Sequence, residues 1–153
     1  DVASWFNRQP KKMLVSCGAG ATSSGTYKTP SISCEGEFVV FGPPAAPGTI
    51  PVPQASWAIN ASVVNSVTAG TIGTALCFGT TAILHGTACT KETEESFSTQ
   101  AVTGAAQQAA VQGSTTTLTE GRNFADLAGF CTGTSAICTY NASHSSIEVS
   151  IAQ

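Results

Sequence analysis

Residues 146–151, Ser146-Ile147-Glu148-Val149-Ser150-Ile151, alternate polar and apolar side chains without a break, and this alternation decides the fold class. Successive side chains of a strand point to opposite faces, so Ile147, Val149 and Ile151 face a core. The same period of two runs through Trp57, Ile59, Ala61 and Val63, interleaved with Ala58, Asn60, Ser62 and Val64. Further strands are expected at 13–17, 35–41, 71–78, 81–84, 87–90 and 137–140. Within 35–41, Phe38 and Val40 stand against Val39 and Phe41, the pattern of a strand buried on both faces.

Two stretches read differently. Residues 101–112, AVTGAAQQAAVQ, are rich in Ala and Gln, which lose little side-chain freedom in a helix, although Gly104 interrupts them. At 123–129, Asn123 can cap a short helix with Asp126 near its positive end, Phe124, Leu127 and Ala128 as an apolar stripe, and Gly129 as a stop. The expected fold is therefore all-β or β-dominated. It is an antiparallel sandwich or barrel of about seven to nine short strands, with one or two short helices near 101–130.

The chain has 153 residues, 42% of them hydrophobic and only 10% charged, so Ser, Thr, Gly and Ala must cover much of the surface. That length suits one domain, taken here as 1–153. Residues 42–53, GPPAAPGTIPVP, hold five prolines and form a connector within the domain, since each proline removes a ladder donor. The forty or so residues before it are too few for a stable domain of their own.

Residues 1–12 read as an N-terminal arm. The adjacent Trp5 and Phe6 gain energy chiefly by burial, which favours docking on this molecule or a neighbour over a frayed end. The sequence begins at Asp1 and has no long apolar run, so a membrane span is not expected and an export signal is expected to have been removed.

Six cysteines, Cys17, Cys34, Cys77, Cys89, Cys131 and Cys138, form an even set with no C-x-x-C pair and no histidine at metal-ligand spacing. Disulfides are expected for all of them. Cys77 with Cys89 and Cys131 with Cys138 are near enough in sequence to close local loops, with other connectivities left open. Asn60-Ala61-Ser62 and Asn141-Ala142-Ser143 match the acceptor pattern for N-glycosylation, so Asn60 and Asn141 are candidate glycan sites on a secreted, extracellular chain. On a strand with Trp57 and Ile59 facing inward or alternating with it, Asn60 points outward.

No constellation demands a reaction. There is no G-x-S-x-G elbow, and His85 and His144 sit in polar turn contexts. Glu94 and Glu95 are neighbours that a strand would aim at opposite faces, so Glu92, Glu94 and Glu95 read as a solvated turn or edge. Gly18, Gly20 and Gly25 lack the lysine of a phosphate loop. A net charge of -3 argues against nucleic-acid binding despite Arg8, Lys11, Lys12 and Lys28 near the start.

Neither a metal nor a cofactor is expected, and no catalytic residue is assigned. The functional expectation is a secreted, non-enzymatic interaction protein, effector- or toxin-like, binding a protein or glycan of a host or neighbour through loops on a rigid scaffold. One alternative is a self-assembling subunit of an extracellular filament or coat, with the arm as connector and copies of itself as partners. A small secreted hydrolase is the other.

Overall fold

The computed structural model describes residues 11–30, 34–40, 54–83, 85–115 and 118–152. Its ten strands are β1 (Lys11–Ser16), β2 (Gly20–Thr22), β3 (Gly36–Val40), β4 (Gln54–Asn65), β5 (Thr71–Gly79), β6 (Lys91–Thr99), β7 (Gln107–Thr115), β8 (Gly121–Cys131), β9 (Cys138–Tyr140) and β10 (Ser146–Ala152). All strand pairings among them are antiparallel. Residues 1–10 of the arm, with Trp5 and Phe6, and the Pro-rich connector at 42–53 lie outside the described residues, whereas Lys11 and Lys12, read as the end of the arm, are the first residues of β1 and pair with β10.

The first sheet is centred on β4, long enough to take two partners along one side. Its residues 54–60 pair with β10 and 63–65 with β9, the 3-10 turn Ala142–His144 lying between them. β1 and β2 follow β10 and β9 as an outer row, and β7 flanks β4 on its other side. The second sheet runs β3, β8, β5, β6. With β1 and β2 counted as one row and β9 and β10 as another, successive rows wind between the sheets as in a double-sheet jelly roll.

Between the sheets, Trp57, Ile59 and Val63 of β4 and Ile147, Val149 and Ile151 of β10 meet Ile72 and Leu76 of β5 and Leu127 of β8. Full burial of each such side chain contributes about 1.5–3 kcal/mol. Tyr140 crosses this core, donating its hydroxyl to the Gly73 carbonyl at 3.0 Å. Burial pushes its pKa up to about 12, with Thr74 opposing the shift. A Cβ at Gly129 would collide with the Tyr140 ring, so this glycine provides clearance in mid-strand and is not a helix stop.

The helix expectation at 101–130 is overturned. β8 is buried on both faces, with Ala125 and Leu127 in the core toward the first sheet and Phe124, Asp126 and Ala128 buried on the opposite face. When both faces are buried, apolar residues fall at helical as well as alternating spacing, and Phe124, Leu127 and Ala128 mimic a stripe. In β7, Ala109 and Val111 face inward while Gln108, Ala110 and Gln112 are exposed. Nine ladder positions against β4 outweigh helix propensities of a few tenths of a kcal/mol per residue.

Three smaller expectations change as well. Residues 81–83 and 87–90 belong to a loop, because the Cys77–Cys89 disulfide folds this segment back on the sheet and Gly86 turns it at φ +74°. β3 is an edge strand with one buried face, Glu37 being exposed. The 18–30 loop contains the short strand β2. All six cysteines pair with their nearest neighbours in sequence: Cys17–Cys34, Cys77–Cys89 and Cys131–Cys138. Among the described residues no helix is long and apolar enough to cross a membrane.

Candidate functional site: a braced loop end

At one end of the sandwich, residues 66–70 join β4 to β5, 100–106 join β6 to β7, and 132–137 join β8 to β9. Two neutral amides hold these loops from within. The backbone N–H of Asn65 donates to Gln100 Oε1 at 3.4 Å, and Gln100 Nε2 donates to the carbonyls of Ala105, at 2.7 Å, and Val102. Asn65 Nδ2 donates to the Thr132 carbonyl at 3.3 Å, and its Oδ1 accepts from the Val67 N–H at 3.0 Å. Both side chains are fully buried, and their bonds satisfy backbone groups of the loops around them.

Backbone bonds complete the brace. Ala69 N–H donates to the Gln100 carbonyl, Ser66 N–H to Ile137, and Thr132 N–H to Thr71, each at 2.8–2.9 Å. The Thr68 and Thr103 hydroxyls meet at 2.5 Å, and the Cys131–Cys138 disulfide closes the third loop. Ala69 at φ +60° and Ser135 at φ +57° are the only non-glycine residues in the left-handed region among those described, and both lie here. Such conformations persist where the surroundings over-determine them, and they cluster at functional sites. On this rigid base Val102 and Ile137 stand 64% and 48% exposed, one on each side of the 66–70 turn.

A second cluster lies on the outer face of the second sheet. Phe130 packs edge-on against Tyr27 and Phe97, with centroids 5.1 and 5.6 Å apart, and the Lys91 ammonium sits 5.4 Å from the Tyr27 ring centre. Burial, then the neighbouring Glu95, raises the Tyr27 pKa. Burial works against ionisation of Glu95, but the Tyr27 hydroxyl and Lys91, 3.1 Å away, hold its pKa below the usual carboxylate value.

Further along this face Asp126 lies under the disulfide-tethered loop, 0% exposed and with neither oxygen in a well-formed hydrogen bond. Burial first, then the charge of Glu35, pushes its pKa up to about 7 against the pull of the Leu127 and Cys34 amides. His85 Nδ1 is 3.7 Å from its Oδ2, and Glu35 Oε2 accepts from the Ile83 N–H at 2.5 Å.

The sequence candidates are dispersed. Asn60 is exposed on the outer face of the first sheet. Asn141 is half-buried and donates from Nδ2 to the hydroxyl of Ser62 at 3.1 Å, so one asparagine holds the serine of the other motif. His144 is exposed in the 3-10 turn, far in role from His85. Glu94 turns inward against Gly113 and Trp57, Glu95 outward to Lys91, as strand geometry requires. Among the described residues no group of three His, Cys, Asp or Glu side chains is placed to hold a metal ion.

Asn65, Gln100, Val102 and Ile137 did not stand out in the sequence. Only the turn glycines mark their neighbourhood, Gly70 and Gly133, where a Cβ would strike Asn65 and Val67 respectively. Comparison with known proteins adds no name to this arrangement: no protein-family model matches the chain, and no curated protein matches it either.

Proposed function

We propose that this chain is a secreted, non-enzymatic interaction protein that uses the braced loop end to bind a protein of a host or neighbouring cell in the manner of an effector or toxin. The observation carrying this reading is the pairing of exposed Val102 and Ile137 with loops whose polar groups are held by the buried side chains of Asn65 and Gln100. Aliphatic side chains held on a rigid base lose little entropy when they enter a complementary pocket, which favours a protein partner over a glycan.

Three disulfides fit an oxidising, extracellular setting. The exposure of Asn60 favours it over Asn141 as the glycan site, because Asn141 is engaged with Ser62. A hydrolase finds less support, since His85 meets a covered carboxyl and Glu94 and Glu95 diverge.

The test is binding of the purified chain to arrays of cell-surface proteins and glycans, with V102D/I137D beside the parent. Both positions are exposed, so the variant should fold and melt as the parent does, and its protein hits should weaken at least about tenfold. Undiminished binding by the variant, or hits confined to glycans, would refute the loop-end reading.

A further inference from the structure

Among the described residues the two sheets leave four edges: β1 with β2, β7, β3 and β6. Three carry charges that discourage strand addition. Lys12 on β1 pairs with Glu148 at 2.8 Å, Glu37 on β3 with Arg122 at 2.6 Å, and Lys91 on β6 with Glu95 at 3.1 Å. The fourth differs. β7, Gln107-Gln108-Ala109-Ala110-Val111-Gln112-Gly113-Ser114-Thr115, has neither charge nor proline. It pairs with β4 over nine residues on one side and, among the described residues, with no strand on the other. An uncharged edge of that length is a template for another strand.

We propose that a second copy of this chain occupies this edge, β7 pairing antiparallel with β7 about a two-fold axis so that two first sheets become one continuous sheet. A two-fold contact places each residue against its own strand, which only a self-complementary sequence tolerates. β7 meets that condition. With the axis at Ala110, Gln108 of one copy faces Gln112 of the other, and each amide both donates and accepts. Gln108, Ala110, Gln112 and Ser114 are exposed on the outer face, and none is bulky enough to obstruct approach.

The nearby acids of β6 do not oppose the contact. Glu94 is turned inward against Gly113 and Trp57, and Glu92 is half-buried, raised in pKa by burial while bonded to Thr115. With 10% charged residues and a net charge of -3, two copies bring little like charge together. This contact uses residues distinct from Val102 and Ile137, so the two inferences stand or fall separately.

The experiment is sedimentation velocity with light scattering on the full chain from micromolar to millimolar concentration. The expected result is a dimer that dissociates on dilution. Q108K/Q112K and Q108E/Q112E should each keep the parent melting temperature, since both positions are exposed, and each should raise the dimer Kd at least about tenfold by setting like charges opposite one another. Mixing the two variants in equal amounts should restore a mixed dimer at the parent concentration range. A parent that stays monomeric throughout overturns the proposal, as does a dimer that survives both charge variants or a mixture that fails to re-form one. A dimer lost in V102D/I137D but kept in both charge variants would move the contact to the loop end and overturn it equally.

Discussion

Two regions of this molecule bury polar side chains beneath loops, and they do so with opposite outcomes. At the braced end, Asn65 and Gln100 are neutral, and their donors and acceptors meet backbone groups of the three loops they hold. On the outer face of the second sheet, Asp126 is equally buried but makes no well-formed hydrogen bond, meeting only the weak pull of the Leu127 and Cys34 amides and His85 at 3.7 Å under the loop tethered by Cys77–Cys89. A buried amide that is fully bonded costs little and specifies a conformation; a buried carboxyl whose partners are too weak to offset its burial must hold its proton or be destabilised. The first region is therefore built for rigidity at any pH, and the second carries a stability that depends on pH.

The comparison breaks most sharply at Gln100. Gln100→Ala strips the partner from the Asn65 N–H and from the carbonyls of Val102 and Ala105. Each buried group left unsatisfied costs about 1–3 kcal/mol, partly relieved by water, so a loss of about 3 kcal/mol is expected in urea unfolding. Gln100→Glu keeps the acceptor and loses the donors, and should fall between the parent and the alanine variant. A loss below about 1 kcal/mol for Gln100→Ala would mean that the disulfide and backbone bonds hold the end unaided.

The next effect tests the other region. The pKa of Asp126 is raised in the folded protein from 3.8 to about 7, so its contribution to stability is complete below pH 4 and is lost as pH rises through 7. The parent should therefore melt at a lower temperature at pH 8 than at pH 5. Asp126→Asn should flatten that dependence and exceed the parent at pH 8 by about 1–3 kcal/mol, the cost of an unsatisfied buried group. Parallel pH profiles for parent and variant would overturn the assignment of this pH dependence to Asp126.

The smallest effect serves as the control. Glu37 and Arg122 form a two-pronged pair at 2.6 and 2.7 Å on the exposed rim of the second sheet, where each shifts the other toward its charged form through the hydrogen bond. Solvent screens such pairs, so Glu37→Gln should leave the melting temperature unchanged within error. A clear drop would mean that the rim helps to hold the face over Asp126.

Much of the architecture was legible in the amino-acid pattern, and the particular elements show why. β4 and β10 each bury one face and solvate the other, so composition alternates with geometry, and Trp57, Ile59, Val149 and Ile151 are found where the period of two puts them. The disulfide class followed from an even cysteine count without metal spacing. Asn60 pointed outward for the same reason that Ile59 pointed in.

What the pattern could not reveal depends on residues distant in sequence. Whether 123–129 is a helix or a strand turns on a second burial surface, which residues 24–30 and the loop behind Cys77 supply only after the chain has folded. The helix-favouring Ala and Gln of β7 yield to the β4 ladder, some fifty residues earlier in the chain. Asn65 and Gln100 lie 35 residues apart and acquire meaning only when their loops converge. Local periodicity records how one strand meets water, and so the sequence by itself determined the class and the inward faces. Which strands pair, which face gains a second cover and which polar groups meet inside are set by contacts between distant segments, and those only the tertiary structure decided.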